Sequence, residues 1–134
     1  MAVITEATLK LHGIPKVSYA MRVSFPSVRD AAAAARDMLN CGVSVGRCEL
    51  LDDTMVSIIN ATNPTMSPWP VKNTLMVELT GPSVASVLEQ LEIVKGVSVT
   101  NQGYDVTYAT DEKETKRLWT LRKQVTYKRI LSIQ

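Results

Sequence analysis

The stretch Lys16-Val17-Ser18-Tyr19-Ala20-Met21-Arg22-Val23-Ser24-Phe25, followed by Pro26-Ser27-Val28-Arg29-Asp30 and the run Ala31 to Ala35, is where the chain changes its period. Val17, Tyr19, Met21, Val23 and Phe25 alternate strictly, as a strand with one apolar face requires. Pro26 marks its end. Ser27 with an acid three residues on is close to a capping box, with Asp30 in place of the preferred Glu, and the alanines that follow have the highest helix propensity available. Gly42, just past Asn40-Cys41, predicts the stop of that helix.

Working outward, the same signals recur. Val43 to Leu51 reads as a short strand, and Asp52 or Asp53 as the cap of a brief helix through Met55, Ile58 and Ile59. Pro64, Pro68 and Pro70 forbid a continuous element between Asn60 and Lys72, so this is a surface loop whose Met66 and Trp69 are expected to tuck back onto the core. Thr74 to Thr80 alternates as a strand. Gly81-Pro82 then opens a helix carrying Val84, Val87, Leu88, Leu91 and Val94 at helical spacing, which Gly96 is expected to close. Val97 to Tyr108 reads as extended chain weakened at Asn101-Gln102-Gly103, and Thr110 or Asp111 as the cap of a final helix to about Lys128. Upstream, Ala2 to Leu11 alternates like a strand before Gly13-Ile14-Pro15 breaks it. Successive strand-helix-strand units imply an α+β fold: a ferredoxin-like split βαβ antiparallel sheet with helices packed on one face.

A chain of 134 residues is the size of one domain with one core. Fifteen basic and thirteen acidic side chains leave a formal charge of +2 with no dense Lys/Arg cluster, which argues against a nucleic-acid partner. No run is apolar for long enough to predict a membrane span. Cys41 and Cys48 lack CxxC spacing and are read as free, buried thiols of a reducing, intracellular compartment.

The final helix carries the residue best suited to ligand chemistry. At 100 degrees per residue, Leu118, Leu121 and Val125 form one stripe, with Trp119, Arg122 and Thr126 on its flank. Arg122 is thus placed at the edge of the buried face. Its planar donor fork can grip a carboxylate, and Thr126 can add a hydroxyl one turn on; equally, Arg122 can snorkel from the core edge to solvent or to an acid. His12 is the sole histidine, so no His-based metal cluster or Ser/His nucleophile has a partner in this chain, and its place before Gly13 suits a turn. Glu49, Asp52 and Asp53 could order a cation, although capping explains them more simply. Neither GxGxxG nor GxxxxGK[ST] occurs.

Six strings and one proline stand in order along the chain: ITEATLKLH at 4 to 12, Pro15, SFPSVRDA at 24 to 31, ELLD at 49 to 52, TLMVEL at 74 to 79, ATDEKE at 109 to 114 and LWTLR at 118 to 122. Together they resemble the C-terminal (cap, or substrate) domain of FAD-linked oxidases of the D-lactate and D-2-hydroxyacid dehydrogenase type. The resemblance implies residues 1 to 13 as the segment leaving an FAD-binding domain and residues 14 to 134 as a cap domain, incomplete at its C-terminus. It implies a parent enzyme that oxidises a small D-2-hydroxyacid by hydride transfer to FAD and passes electrons to a separate acceptor. The flavin domain is expected before Met1, and a histidine-rich motif with metal ligands and the proton acceptor after Gln134. By the same resemblance Arg122 binds the substrate carboxylate, and Thr126 matches a threonine of hydroxyglutarate-type members where lactate-type members commonly carry an aromatic residue. Ile4 and Thr5 follow the last flavin-contacting stretch, so their backbone is expected to touch the isoalloxazine. The fragment alone is expected to bind no FAD and to be inactive; a eukaryotic parent is expected in the mitochondrion. Other expectations are that the exposed domain forms a homo-oligomer, or that the chain is a stand-alone protein-interaction module, since some members of the family carry an actin-interacting label.

Overall fold

The structure, a computed structural model, describes residues 3–11, 13–64, 66–109 and 111–131, with side chains up to residue 123. Eight elements follow in the order β1 (Val17–Phe25), α1 (Val28–Asn40), β2 (Val45–Leu51), α2 (Asp53–Thr62), β3 (Asn73–Gly81), α3 (Val84–Thr100), β4 (Tyr104–Tyr108) and α4 (Glu112–Leu131). The strands form one sheet in the order β2-β3-β1-β4, every neighbouring pair antiparallel. This is the ferredoxin-like order that the alternating units imply.

Pleating gives the sheet two faces with different chemistry. Met21, Val23 and Phe25 of β1 and Leu75, Val77 and Leu79 of β3 pack against Ala31, Ala34 and Met38 of α1 and Val87, Leu91 and Val94 of α3. The alanines let α1 lie close on the sheet, as its composition suggests. The opposite face buries Leu51 and Met76 beneath Val56 and Ile59 of α2, Trp119 and Leu121 of α4, and Trp69 from the proline-rich loop. The helices expected on one face are divided between two, with α1 and α3 on one side and α2 and α4 on the other, because both faces of the sheet carry apolar side chains. Met66 and Trp69 do tuck back, and Asn60 fixes that loop by bonding both the N–H and the C=O of Trp69 at 2.8 Å.

Ser27, Asp52, Ser83 and Asp111 each accept a backbone N–H at the start of a helix, which satisfies a donor that has no partner inside it. The Val3–Leu11 stretch, strand-like in its alternation, is exposed and makes no ladder with β1 to β4. Two sequence expectations require correction. Gly96 does not end α3, and Val97 to Thr100 are helical: Ser98 beyond it is buried, as Val94 before it is, and Gly96 faces open space. The helix closes instead on Gln102, at φ 66°, with Gly103 N–H bonded to Ser98 C=O at 2.7 Å and Gln102 N–H to Val99 C=O at 3.0 Å. This is a Schellman closure with glutamine in the left-handed position that usually signals itself as glycine. Finally, Cys41 and Cys48 are free but exposed, since one caps a helix end and the other lies on edge strand β2.

The two glycines flanking that closure are predicted to respond oppositely. Gly96→Ala should stabilise by about 1 kcal/mol, because the site is open and alanine restricts the unfolded chain. A Cβ on Gly103 would lie 2.8 Å from Ser98 C=O and 2.9 Å from Val23 Cγ1, so Gly103→Ala should cost about 1–3 kcal/mol. Urea titration of both variants checks the signs; two shifts of the same sign contradict this account.

Candidate functional site

A bulge decides what the α4 face presents. Along β2, Val45 pairs with Leu79, whereas Arg47 pairs with Glu78, so the register slips at Gly46. Without the slip, Arg47, Glu49 and Leu51 would follow Val45 onto the α1/α3 side; with it they turn to the α4 side. Gly46 suits the slip because a Cβ there would lie 2.8 Å from Thr80 Cγ2. Cross-strand rows then become Arg47–Glu78–Ala20, Glu49–Met76–Arg22–Thr107 and Leu51–Thr74–Ser24.

Two arginines on these rows meet aromatic faces and acids. The Arg47 guanidinium lies 4.4 Å from the centre of the Trp119 ring and bonds both carboxylate oxygens of Glu78, Nη2 to Oε1 at 3.0 Å. The Ser18 hydroxyl also donates to Glu78. Burial pushes the Glu78 carboxyl up, but Arg47 and Ser18 outweigh it and hold it below the usual carboxylate range; the residue is 7% exposed. Arg22 lies 4.8 Å from the Trp69 ring centre and 3.7 Å from Asp105, which itself sits in left-handed backbone at φ 51°. Burial draws the Arg22 pKa down, and Asp105 opposes that shift.

Arg122 lies at the rim of this layer. Among the described side chains of α4 the buried ones are Thr115, Trp119 and Leu121, with Leu118 half-buried, so Trp119 lies within the buried stripe of these turns instead of on its flank. Arg122 follows one turn later, its side chain 34% exposed, and its Nε edge forms an ion pair with Glu49, 28% exposed. Thr126 continues α4 one turn on, but its side chain lies outside the described residues, as do His12 and Thr110. A cavity of about 430 Å³ opens at the other end of α4, lined among others by Lys16, Ser18, Arg47, Glu78, Thr115 and Lys116; Arg122 is not one of its lining residues. Ile4 and Thr5 stand in the exposed N-terminal stretch, Ile4 at 84%. Asp52 caps α2 and Glu49 pairs with Arg122, and among the described residues no three His, Cys, Asp or Glu side chains converge to hold a metal. No helix among them is long and apolar enough to cross a membrane.

Sequence reasoning singled out Arg122, passed over Arg47, Arg22 and Glu78, and read Glu49 only as part of an acidic cluster. The available signal was charge on alternate β2 positions, Arg47 and Glu49, in the strand preceding a capped helix.

Comparisons with known proteins fit this layout. The fold is shared with alkyldihydroxyacetonephosphate synthase at a TM-score of 0.54, over 83% of this chain and 23% of that one, with 15% identity. In sequence, the chain is 35% identical to the probable mitochondrial D-lactate dehydrogenase of Danio rerio over 127 residues, 95% of this chain and 25% of that protein. It is 37% identical to the mitochondrial D-lactate dehydrogenase [cytochrome] of Arabidopsis thaliana, covering 92% and 21%, and 34% identical to glycolate oxidase subunit GlcD of Escherichia coli (strain K12), covering 92% and 24%. The chain thus spans about a quarter of the length of these curated relatives. Residues 14–133, from the approach to β1 to beyond the end of α4, match the family described as FAD linked oxidases, C-terminal domain, and the chain belongs to that family.

Proposed function

We propose that this domain is the substrate-binding cap of an FAD-dependent D-2-hydroxyacid dehydrogenase of the D-lactate type, in which Arg122 holds the substrate carboxylate. The observation carrying this reading is the setting of Arg122: a guanidinium one-third open to solvent, on a helix whose preceding turn is anchored by Trp119 and Leu121. A planar fork on a rigid helix fixes the plane of a carboxylate, and with it the direction of the substrate's Cα–H. Thr126, one turn on, is assigned the second polar contact. The relatives include D-lactate and glycolate enzymes, which supports a short 2-hydroxyacid as the substrate.

Ile4 and Thr5 lie in an exposed stretch, and in this reading they offer the isoalloxazine a backbone edge while the rest of its site lies in a separate FAD-binding domain. Bound there, FAD supplies the hydride acceptor. Exposed Val3, Ile4, Leu9, Leu11 and Ile14 favour such a covering partner, because a run of apolar side chains on unpaired backbone is costly to leave in water. A second copy of the chain, or the partner of an interaction module, is the competing occupant of the same surface. Four of the relatives are named as mitochondrial, so the mitochondrion is the compartment proposed for a eukaryotic parent.

Two measurements test the proposal. The flavoprotein carrying this domain should oxidise D-lactate or a related D-2-hydroxyacid, whereas the 134-residue polypeptide purified alone should show no visible flavin absorbance. A flavoprotein that oxidises no 2-hydroxyacid, or a flavin spectrum copurifying with the isolated polypeptide, would sink it.

A further inference from the structure

We infer that Glu49 is the positioning residue for Arg122: its carboxylate holds the Nε edge of the guanidinium so that the outer, two-nitrogen fork faces the substrate carboxylate. The inference rests on the cap-domain reading above. Nε of Arg122 is shielded from solvent and makes no hydrogen bond; the Glu49 carboxylate lies against it as an ion-pair partner. An arginine side chain has many rotamers, and an unfixed one would spend much of its time away from any single binding pose. One charged contact at Nε removes most of that freedom while leaving the terminal nitrogens as a parallel fork.

Both ends of the contact are built on rigid backbone. Two residues before Glu49, Arg47 is clamped by Glu78 and Trp119; two residues after it, Leu51 is buried; across the ladder, Glu49 faces the fully buried Met76. On the other side, Trp119 and Leu121 anchor α4 immediately before Arg122. Glu49 reaches Arg122 only because the Gly46 bulge turns this part of β2 toward α4. A carboxylate held this firmly on a strand is poorly placed to swing aside for a ligand. It therefore acts as an orienting partner and not as a competitor that substrate must displace.

The test is steady-state kinetics of 2-hydroxyacid oxidation in the flavoprotein carrying this domain, with Glu49→Gln, Glu49→Asp and Arg122→Ala side by side. Glu49→Gln should raise KM about ten-fold, the size of one freed side chain's ordering cost, while kcat falls by a smaller factor. Glu49→Asp should recover part of the loss. In the 134-residue chain, the NMR signal of the Arg122 Nε–H should exchange slowly with water and should broaden in Glu49→Gln, which reports the contact itself; the KM rise without an equal fall in kcat is the readout that a merely structural carboxylate would not move. If Arg122→Ala raises KM and Glu49→Gln leaves it unchanged, the positioning role is overturned and the cap reading stands. If Glu49→Gln lowers KM, Glu49 is a competitor and the inference is equally overturned. If Arg122→Ala itself has no effect, the cap reading fails first.

Discussion

Replacing Arg122 with alanine lowers kcat/KM for the 2-hydroxyacid by on the order of a hundred-fold in the flavoprotein carrying this domain. Two charge-assisted hydrogen bonds to a carboxylate contribute about 3 kcal/mol between them in a partly desolvated site, and 1.4 kcal/mol is a factor of ten. Most of the loss should appear in KM, because the carboxylate is bound in the ground state as well as in the transition state. Arg122→Lys keeps the charge but not the fork, so it should restore only part of the activity. The thermal midpoint should change little in either variant. Arg122 stands at the exposed rim, and the packing that docks α4 is made by Trp119 and Leu121. If kcat/KM stays within about three-fold of wild type, Arg122 is an arginine snorkelling to Glu49 and nothing more.

How far the sequence carries toward that residue depends on which signals are local. Alternation in Val17 to Phe25, the serine cap at Ser27 and the heptad-like spacing of Val87, Leu91 and Val94 are each contained in a dozen residues, and each element stands where they imply. The end of α3 was misplaced because Gly96 carries the usual sign of a helix stop, while the actual left-handed residue is Gln102. The strand character of Val3 to Leu11 is equally visible, but pairing is a property of two segments, and the alternation cannot reveal whether a neighbour exists.

The candidate site shows the same division. Arg122 was legible because helical spacing alone places it beside Trp119. Its pairing with Glu49 was not, since it depends on a one-residue slip at Gly46 that reverses the faces of everything after it in β2. Arg47 and Glu78 are also 31 positions apart, and no periodicity within either strand points to the other.

That pair yields a large expected effect on stability. Glu78→Gln removes the charge but keeps the shape, and leaves the Arg47 fork with a neutral partner against the Trp119 face. The cost should be about 2 kcal/mol, less than for a fully buried pair because Arg47 is still 44% exposed, and the thermal midpoint should fall by about 7 °C. The pH dependence separates charge from packing. The folded-state pKa of Glu78 is depressed, so its contribution is fully present above the unfolded carboxyl pKa of about 4.3 and is lost as pH falls through the lower folded value. The difference between wild type and Glu78→Gln should therefore hold steady at neutral pH and shrink progressively in acid. Arg47→Met should remove most of the same difference, since without the guanidinium Glu78 has only the Ser18 hydroxyl to offset its burial. Because Arg47 also stacks on Trp119, both variants should weaken the near-ultraviolet circular dichroism of the tryptophans, reporting a loosened α4. A stability gap that persists unchanged at low pH would mean that shape, and not the ionised pair, holds α4 against the sheet.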